Sequence, residues 1–234
     1  MNIDIWSDIR CPFCYIGKKN LEKALKSFPQ KDEVKVTWHS FQLDPTLTTQ
    51  PEISAVEHFS RTKQVSPSDA AAMFENLNKT GEAAGITFNL KDQKVANSYR
   101  AHLLLQLAGS KGRANDAEEA LFRAQLCDGK NIDDEQTLLE IGTELGFAQD
   151  EIKNALQSDE LAAAISRDQL LAQQMNVRGV PFFVINDKYG VSGAQPVEVF
   201  SEVLEKSWQE FSAGDKGLHI LHEGESCDTD GNCD

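Results

Sequence analysis

At 234 residues with 40% apolar side chains, the chain can bury one large core, or one core with a sizeable insertion, without disulfide staples. Its formal charge of −14 argues against nucleic acid and anionic membrane as partners, since both would repel it. No stretch approaches the ~20 apolar residues of a membrane span. The segment Met1-Asn2-Ile3-Asp4 has neither the basic nor the apolar region of a signal peptide, so a cytoplasmic protein is expected. Five cysteines in a reducing compartment then point to catalysis, redox switching or metal rather than to a structural framework.

The first element is a short strand, with Ile3, Ile5 and Ser7 alternating onto one side. Cys11-Pro12-Phe13-Cys14 follows, and then a helix whose Leu21, Ala24, Leu25 and Phe28 share a face. Strand, C-x-x-C and helix in that order are the local layout of a thiol–disulfide redox site. Cys11 stands at the helix N-terminus, where unpaired N–H groups and the macrodipole favour a thiolate. Pro12 has a φ suited to the first turn and costs no helix hydrogen bond there. Cys14, three residues on, is within reach of a mixed disulfide formed at Cys11. The rival reading is half of a zinc knuckle, which also uses C-P-x-C; the amphipathic helix running out of the motif favours redox chemistry.

After Pro29 and a charged turn, Val34, Val36 and Trp38 alternate with polar residues in a second strand reaching about Phe41. A βαβ unit this short implies parallel strands and a right-handed crossover. His39, near the strand end, reads as a hydrogen-bonded structural histidine. From about Pro51 to Val177 the pattern is helix only, with six helices and no strand. Ser66-Pro67-Ser68-Asp69 opens the first and Gly85 closes it; Asn97 or Ser98 caps the second, which ends at Gly109. The others run from about Asp116 to Cys127, from an Asp133 cap to Gly146, from Asp150, and from about Glu160 to Met175. His102 falls among leucines and reads as a satisfied core histidine. Cys127, at a helix C-terminus, reads as a small buried hydrophobe.

Strand character returns at Val177-Arg178-Gly179-Val180-Pro181-Phe182-Phe183-Val184-Ile185, with the proline at its head, where no ladder donor is needed. Asn186 to Gly190 reads as a hairpin loop returning through Val191-Ser192-Gly193. Gln195-Pro196 opens a last helix carrying Val199, Val203, Leu204 and Trp208. The frame is thus β-α-β, helical segment, β-β-α: an α/β protein with a large all-helical insertion.

That frame, with Cys-Pro-Phe-Cys after the first strand and Gly179-Val180-Pro181 later, resembles the thioredoxin fold as the DsbA family elaborates it. Ser7-Asp8-x-x-Cys11-Pro12-x-Cys14-Tyr15-x-Gly17, Asn97-Ser98…Ala101-His102, and Arg178 to Val184 running on through Val191-Ser192-Gly193-Ala194-Gln195 look like its FrnE-type branch. The resemblance covers about Met1 to Phe211. It implies a thiol–disulfide oxidoreductase or isomerase in which Cys11 is the nucleophile, Cys14 the resolving thiol and Pro181 a cis-proline facing them. Val180, Pro181, Pro12 and Phe13 would then bind substrate, whose backbone can pair there as an added strand. The partners implied are proteins carrying thiols or disulfides, with glutathione as a further redox partner and no cofactor. The dipeptide Pro12-Phe13 replaces the Pro-His of strongly oxidising periplasmic relatives, so a milder potential is expected. The alternative is a glutathione-dependent isomerase or transferase of the kappa-class or hydroxychromene-carboxylate isomerase type; those enzymes look to carry serine where this chain has Cys11.

Beyond Phe211 the chain turns polar, passes through Leu218-His219-Ile220-Leu221-His222, and ends with a second pair, Cys227 and Cys233, among acids and glycine. Asp228, Asp230 and Asn232 echo a calcium loop, but the glycine is misplaced and no twelfth-position glutamate follows. His219, His222, Cys227 and Cys233 also have the composition of a zinc site, which would make the protein a zinc-held binding module. An auxiliary redox pair is the favoured reading, with no metal expected. The expected organisation is a discontinuous thioredoxin-like domain (1–50 and 177–213), a helical insertion (51–176) and a tail (214–234).

Overall fold

The computed structural model describes residues 1–210, 219–223 and 227–228, with side chains described through residue 210. Strand β1 (Asn2–Ser7) leads through a short loop to helix α1 (Pro12–Ser27) and then to strand β2 (Lys35–Ser40). The two strands are parallel, with Ile3 opposite Val36 and Ser7 opposite Ser40. Ile3, Ile5 and Ser7 are fully buried and Trp6 nearly so, which makes β1 a central strand covered on both faces. Helix α1 stops at Phe28, whose extended backbone is what the following Pro29 demands.

The middle of the chain holds strand β3 (Gln50–Ser54), helices α2 (Ala55–Lys63) and α3 (Pro67–Ala84), strand β4 (Lys94–Val95), and helices α4 (Tyr99–Ser110), α5 (Ala114–Leu126), α6 (Glu135–Glu144), α7 (Gln149–Ala155) and α8 (Asp159–Gln174). This corrects the expectation of six helices and no strand. This stretch holds seven helices, α2 to α8, and β3 and β4 form an antiparallel pair with an irregular register. The pair left no periodic signal because it is short, contains Pro51, and buries only Val95. Helix α2 was equally illegible: it buries no residue and depends on Ser54, whose hydroxyl accepts the Glu57 N–H. The expected caps of α3, Ser66 and Gly85, are both present. Asp134, not Asp133, caps α6 by accepting the Thr137 N–H at 2.8 Å, while Asp133 accepts the Thr49 hydroxyl. His102 is buried on α4. Cys127 is only half-buried at the C-cap of α5, a second correction, although Ala124, Gln125 and Leu126 just before it are buried.

Strand β5 (Gly179–Val180), strand β6 (Phe182–Ile185), strand β7 (Tyr189–Ser192) and helix α9 (Val197–Gln209) follow. All four residues of β6 are buried, which explains its unbroken apolar run. It pairs antiparallel with β1, setting Trp6 opposite Phe182, and with β7 across a loop in which Asn186 and Asp187 take positive φ. Gly190 lies in β7 rather than in that loop. The tail is a third correction. Two of its segments are strands: β8 (His219–Glu223), parallel to β7, and β9 (Cys227–Asp228), antiparallel to β5. The main sheet runs β2-β1-β6-β7-β8.

The chain divides into two compact units, residues 1–43 with 165–234 and residues 44–164. The first holds the main sheet, α1, α9 and the C-terminal half of α8. That half-helix, which periodicity alone assigned to the insertion, belongs there because Asp168 bonds to side chains and backbone of β1 and β2.

Candidate active site

Where β1 ends, Asp8 shapes the loop. Its buried carboxylate accepts the Arg10 N–H at 3.1 Å and the Leu43 N–H at 2.8 Å, and its carbonyl accepts the Cys11 N–H at 2.9 Å. These bonds tie the β1–α1 loop to the chain leaving β2 and set Cys11 in an extended conformation at the N-cap of α1. The thiol is not spent on capping. Cys11 Sγ instead faces the carbonyl oxygen of Val180, 3.6 Å away, at the end of β5. One turn into the helix, the Cys14 N–H donates to the Cys11 carbonyl at 3.1 Å. Burial pushes the Cys14 thiol well above its ordinary pKa, and its hydrogen bond and charge coupling with Cys11 push the same way. Neither residue is in a disulfide, and each is about 1% exposed.

The second wall is the β5–β6 junction. The Val180–Pro181 peptide bond is cis, and the Pro181 carbonyl accepts the Gly193 N–H at 2.9 Å. Helix α1 comes close to this wall because residue 17 is glycine: a Cβ there would meet Phe183 Cζ at 3.0 Å and Pro181 Cγ at 3.1 Å. Asn20 adds a further tie, donating to the Gln195 carbonyl at 2.9 Å. Cys11, Cys14, Val180 and Pro181 are thus brought together, all buried, with Phe13 buried and Pro12 half-buried on the first turn. The backbone of Cys227 lies opposite Val180 in the β5–β9 pair. Cys233 lies outside the described residues, as do the side chains of His219, His222 and Cys227. Among the described residues no group of three or more His, Cys, Asp or Glu side chains has the arrangement of a metal site.

Two features of this region escaped sequence reasoning. The role of Asp8 depends on Leu43, 35 positions away, and its only local mark was its place in Ser7-Asp8-x-x-Cys11. The other is a half-buried ionic cluster on the sheet. His39 lies between Asp168, 2.8 Å from Nδ1, and Asp4, 2.8 Å from Nε2, and stacks on Trp6 with ring centroids 4.4 Å apart. The Trp6 indole N–H donates to the Asp168 carbonyl at 3.0 Å, and the Ser40 N–H donates to its carboxylate at 2.9 Å. Burial works against charging His39, but the hydrogen bonds to Asp168 and Asp4 outweigh it and raise its pKa to about 9. The ring is therefore an imidazolium at neutral pH. It is the hydrogen-bonded structural histidine expected from sequence, with partners that local pattern did not reveal.

Comparison with known proteins gives this arrangement its family. The chain is similar over its whole length to a probable DsbA oxidoreductase from Streptomyces coelicolor, 34% identical, with 100% of this chain and 98% of that one covered and a TM-score of 0.84. It shares its fold with a 2-hydroxychromene-2-carboxylate isomerase at 17% identity, covering 91% and 98% of the two chains with a TM-score of 0.67. It also shares it with the cytosolic disulfide reductase DsbM from Pseudomonas aeruginosa, solved with glutathione: 18% identity, 89% and 100% coverage, TM-score 0.64. No helix among the described residues is long and apolar enough to cross a membrane. With the family model for the DSBA-like thioredoxin domain matching residues 2–205, this chain belongs to the DsbA-like thioredoxin-fold family.

Proposed function

We propose that the protein is a thiol–disulfide oxidoreductase or isomerase of the FrnE-like branch, acting on disulfides and thiols of other proteins through Cys11 and Cys14. The observation that carries this reading is the placement of Cys11 at the head of α1 with its sulfur against the Val180 carbonyl. In the reductive direction the Cys11 thiolate attacks a substrate disulfide, and the displaced substrate sulfur leaves as a thiolate that takes up a proton. Cys14 then loses its proton and attacks Cys11 Sγ; the mixed disulfide breaks, the second substrate sulfur leaves, and Cys11–Cys14 is the oxidised product. The raised pKa of Cys14 orders these steps, because a thiol kept protonated by burial does not compete with Cys11 for the first attack. Oxidation of a substrate dithiol is the same sequence reversed.

Val180, Pro181, Pro12 and Phe13 form the substrate groove in this reading, with an extended substrate segment pairing along β5. Cys227 and Cys233 are an auxiliary redox pair, supported by the register that sets Cys227 opposite Val180. Glutathione is a fitting small thiol partner and the cytoplasm a fitting compartment, both supported by the fold shared with DsbM. Cysteine rather than serine at position 11 favours exchange over the glutathione-dependent isomerase or transferase alternative. The test is insulin reduction and refolding of a scrambled disulfide substrate. Cys11→Ser abolishes both, and Cys14→Ser accumulates mixed disulfides visible on a non-reducing gel; full activity in Cys11→Ser overturns the reading.

A further inference from the structure

The tail of this chain takes up the position at which the proposed substrate would bind. Strand β7 pairs antiparallel with β6, Ser192 opposite Phe182, and parallel with β8, Ser192 opposite Glu223. Glu223, the last residue of β8, is thereby brought to the end of the sheet at which β6 begins, with Ser192 of β7 between it and Phe182. After three intervening residues the chain enters β9, whose Cys227 and Asp228 pair with Val180 and Gly179. The pair β5–β9 is a two-stranded sheet of its own, so β9 is the neighbour that β5 has among the described strands. Val180 is the residue whose carbonyl faces Cys11, and Cys11, Val180 and Pro181 are all buried in this arrangement.

We propose that β9 is a pseudo-substrate strand: the backbone of residues 227–228 occupies the edge of β5 as an extended cysteine-containing substrate segment would, and it must leave before one can bind. The inference rests on the oxidoreductase reading for the identity of the displaced ligand, but not for the contact itself. An extended strand edge recognises main chain first, because each added residue satisfies N–H and C=O groups regardless of side chain. The ligand class is therefore an extended peptide with a cysteine at the position facing Val180, and the tail supplies such a peptide at high effective concentration. Exchange with substrates is slowed while β9 is docked and released when it undocks. The device needs no chemistry at Cys227, which separates it from a redox relay.

The double variant Cys227→Pro, Asp228→Pro in the full chain tests this, since one of these two residues turns its N–H toward β5 in an antiparallel pair and proline removes that donor. Cys11 in the reduced variant should react with a bulky maleimide, followed by mass spectrometry of the Cys11 peptide, roughly tenfold faster than in the parent, the factor expected when one or two backbone hydrogen bonds are lost. A synthetic peptide copying residues 223–232, with serine in place of Cys227, should bind the variant more tightly than the parent by a similar factor. Equal labelling rates and equal peptide affinity in a variant of unchanged circular dichroism overturn the proposal. Should the variant fail to fold, amide hydrogen exchange on the parent decides instead: protection of the Cys227 or the Asp228 amide, lost on adding excess peptide, supports the strand, and exchange of both at the rate of an unpaired chain overturns it. Labelling and peptide binding require no turnover. Loss of the oxidoreductase reading, seen as unchanged insulin reduction in Cys11→Ser, is therefore a separate outcome.

Discussion

Asp4 and Asp8 stand four residues apart on one strand and the loop that leaves it, yet their surroundings differ in kind. Asp8 is buried and takes the N–H groups of Arg10 and Leu43. Asp4 and its companion Asp168 face the ring of His39. Backbone N–H groups do not titrate, so the loop that sets Cys11 keeps its geometry at any pH at which Asp8 stays ionised. An imidazolium does titrate, so the bond between β1, β2 and α8 is conditional on the proton of His39. One end of the sheet is organised to hold thiols in place; the middle is organised to hold the fold together, and that hold varies with pH.

The comparison makes Cys11 dispensable to the fold and His39 dispensable to the chemistry. On the proposed function, Cys11→Ser should lower disulfide exchange by roughly a thousandfold or more, the loss expected when a covalent nucleophile is removed. Its melting temperature should move by less than about 4 °C, the shift that 1 kcal/mol brings in a chain of this size. A larger fall in melting temperature, or retained exchange, would break the distinction.

The His39 cluster should show itself in the pH dependence of unfolding. The folded pKa of about 9 lies above the ordinary 6.5, so the native state holds the proton more tightly than the unfolded state does. The stabilisation is therefore complete below about pH 6.5 and is lost as the pH rises through 9, amounting to about 3 kcal/mol at 1.36 kcal/mol per pH unit. Urea unfolding between pH 6 and 9.5 measures it. His39→Gln should flatten that slope and lower stability at pH 7, with disulfide exchange per folded molecule unchanged. A slope that survives in His39→Gln assigns the pH dependence elsewhere.

Asp8→Asn sharpens the comparison from the other side. An amide can accept only through its oxygen, so one of the two N–H bonds is lost, at about 1–3 kcal/mol for a buried group left unsatisfied. Burial and Cys11 are the main causes of the raised Cys14 pKa, and the charge of Asp8 adds a smaller push. The variant should therefore move the pH profile of Cys14 alkylation to lower pH, which a purely structural role for Asp8 would not do. Gly17→Ala is expected to have the smallest effect. The new methyl must displace Phe183 and Pro181 by a few tenths of an ångström, at about 1–2 kcal/mol by thermal melting. Its effect on exchange should exceed its effect on stability, because the group displaced is the wall facing Cys11.

Some of this was written locally and some was not. The strand, Cys-Pro-Phe-Cys and helix at the head of the chain were legible because alternation, a proline in the first turn and a helical stripe are properties of consecutive residues. So were the caps at Ser66 and Gly85 and the buried run Phe182 to Ile185, and together with the motifs they carried the thioredoxin-like frame with its helical insertion. The β3–β4 pair was not legible, since it buries too little to impose a period. The tertiary structure alone decided which distant groups meet. His39 finds Asp4 and Asp168, 35 and 129 positions away. Asp8 finds Leu43, and Gly17 is favoured as glycine by Pro181 and Phe183, which lie beyond the insertion in sequence. The tail is the sharpest case. Two residues give no periodicity to read, and a strand of that length exists only because β5 presents an edge for its backbone to complete.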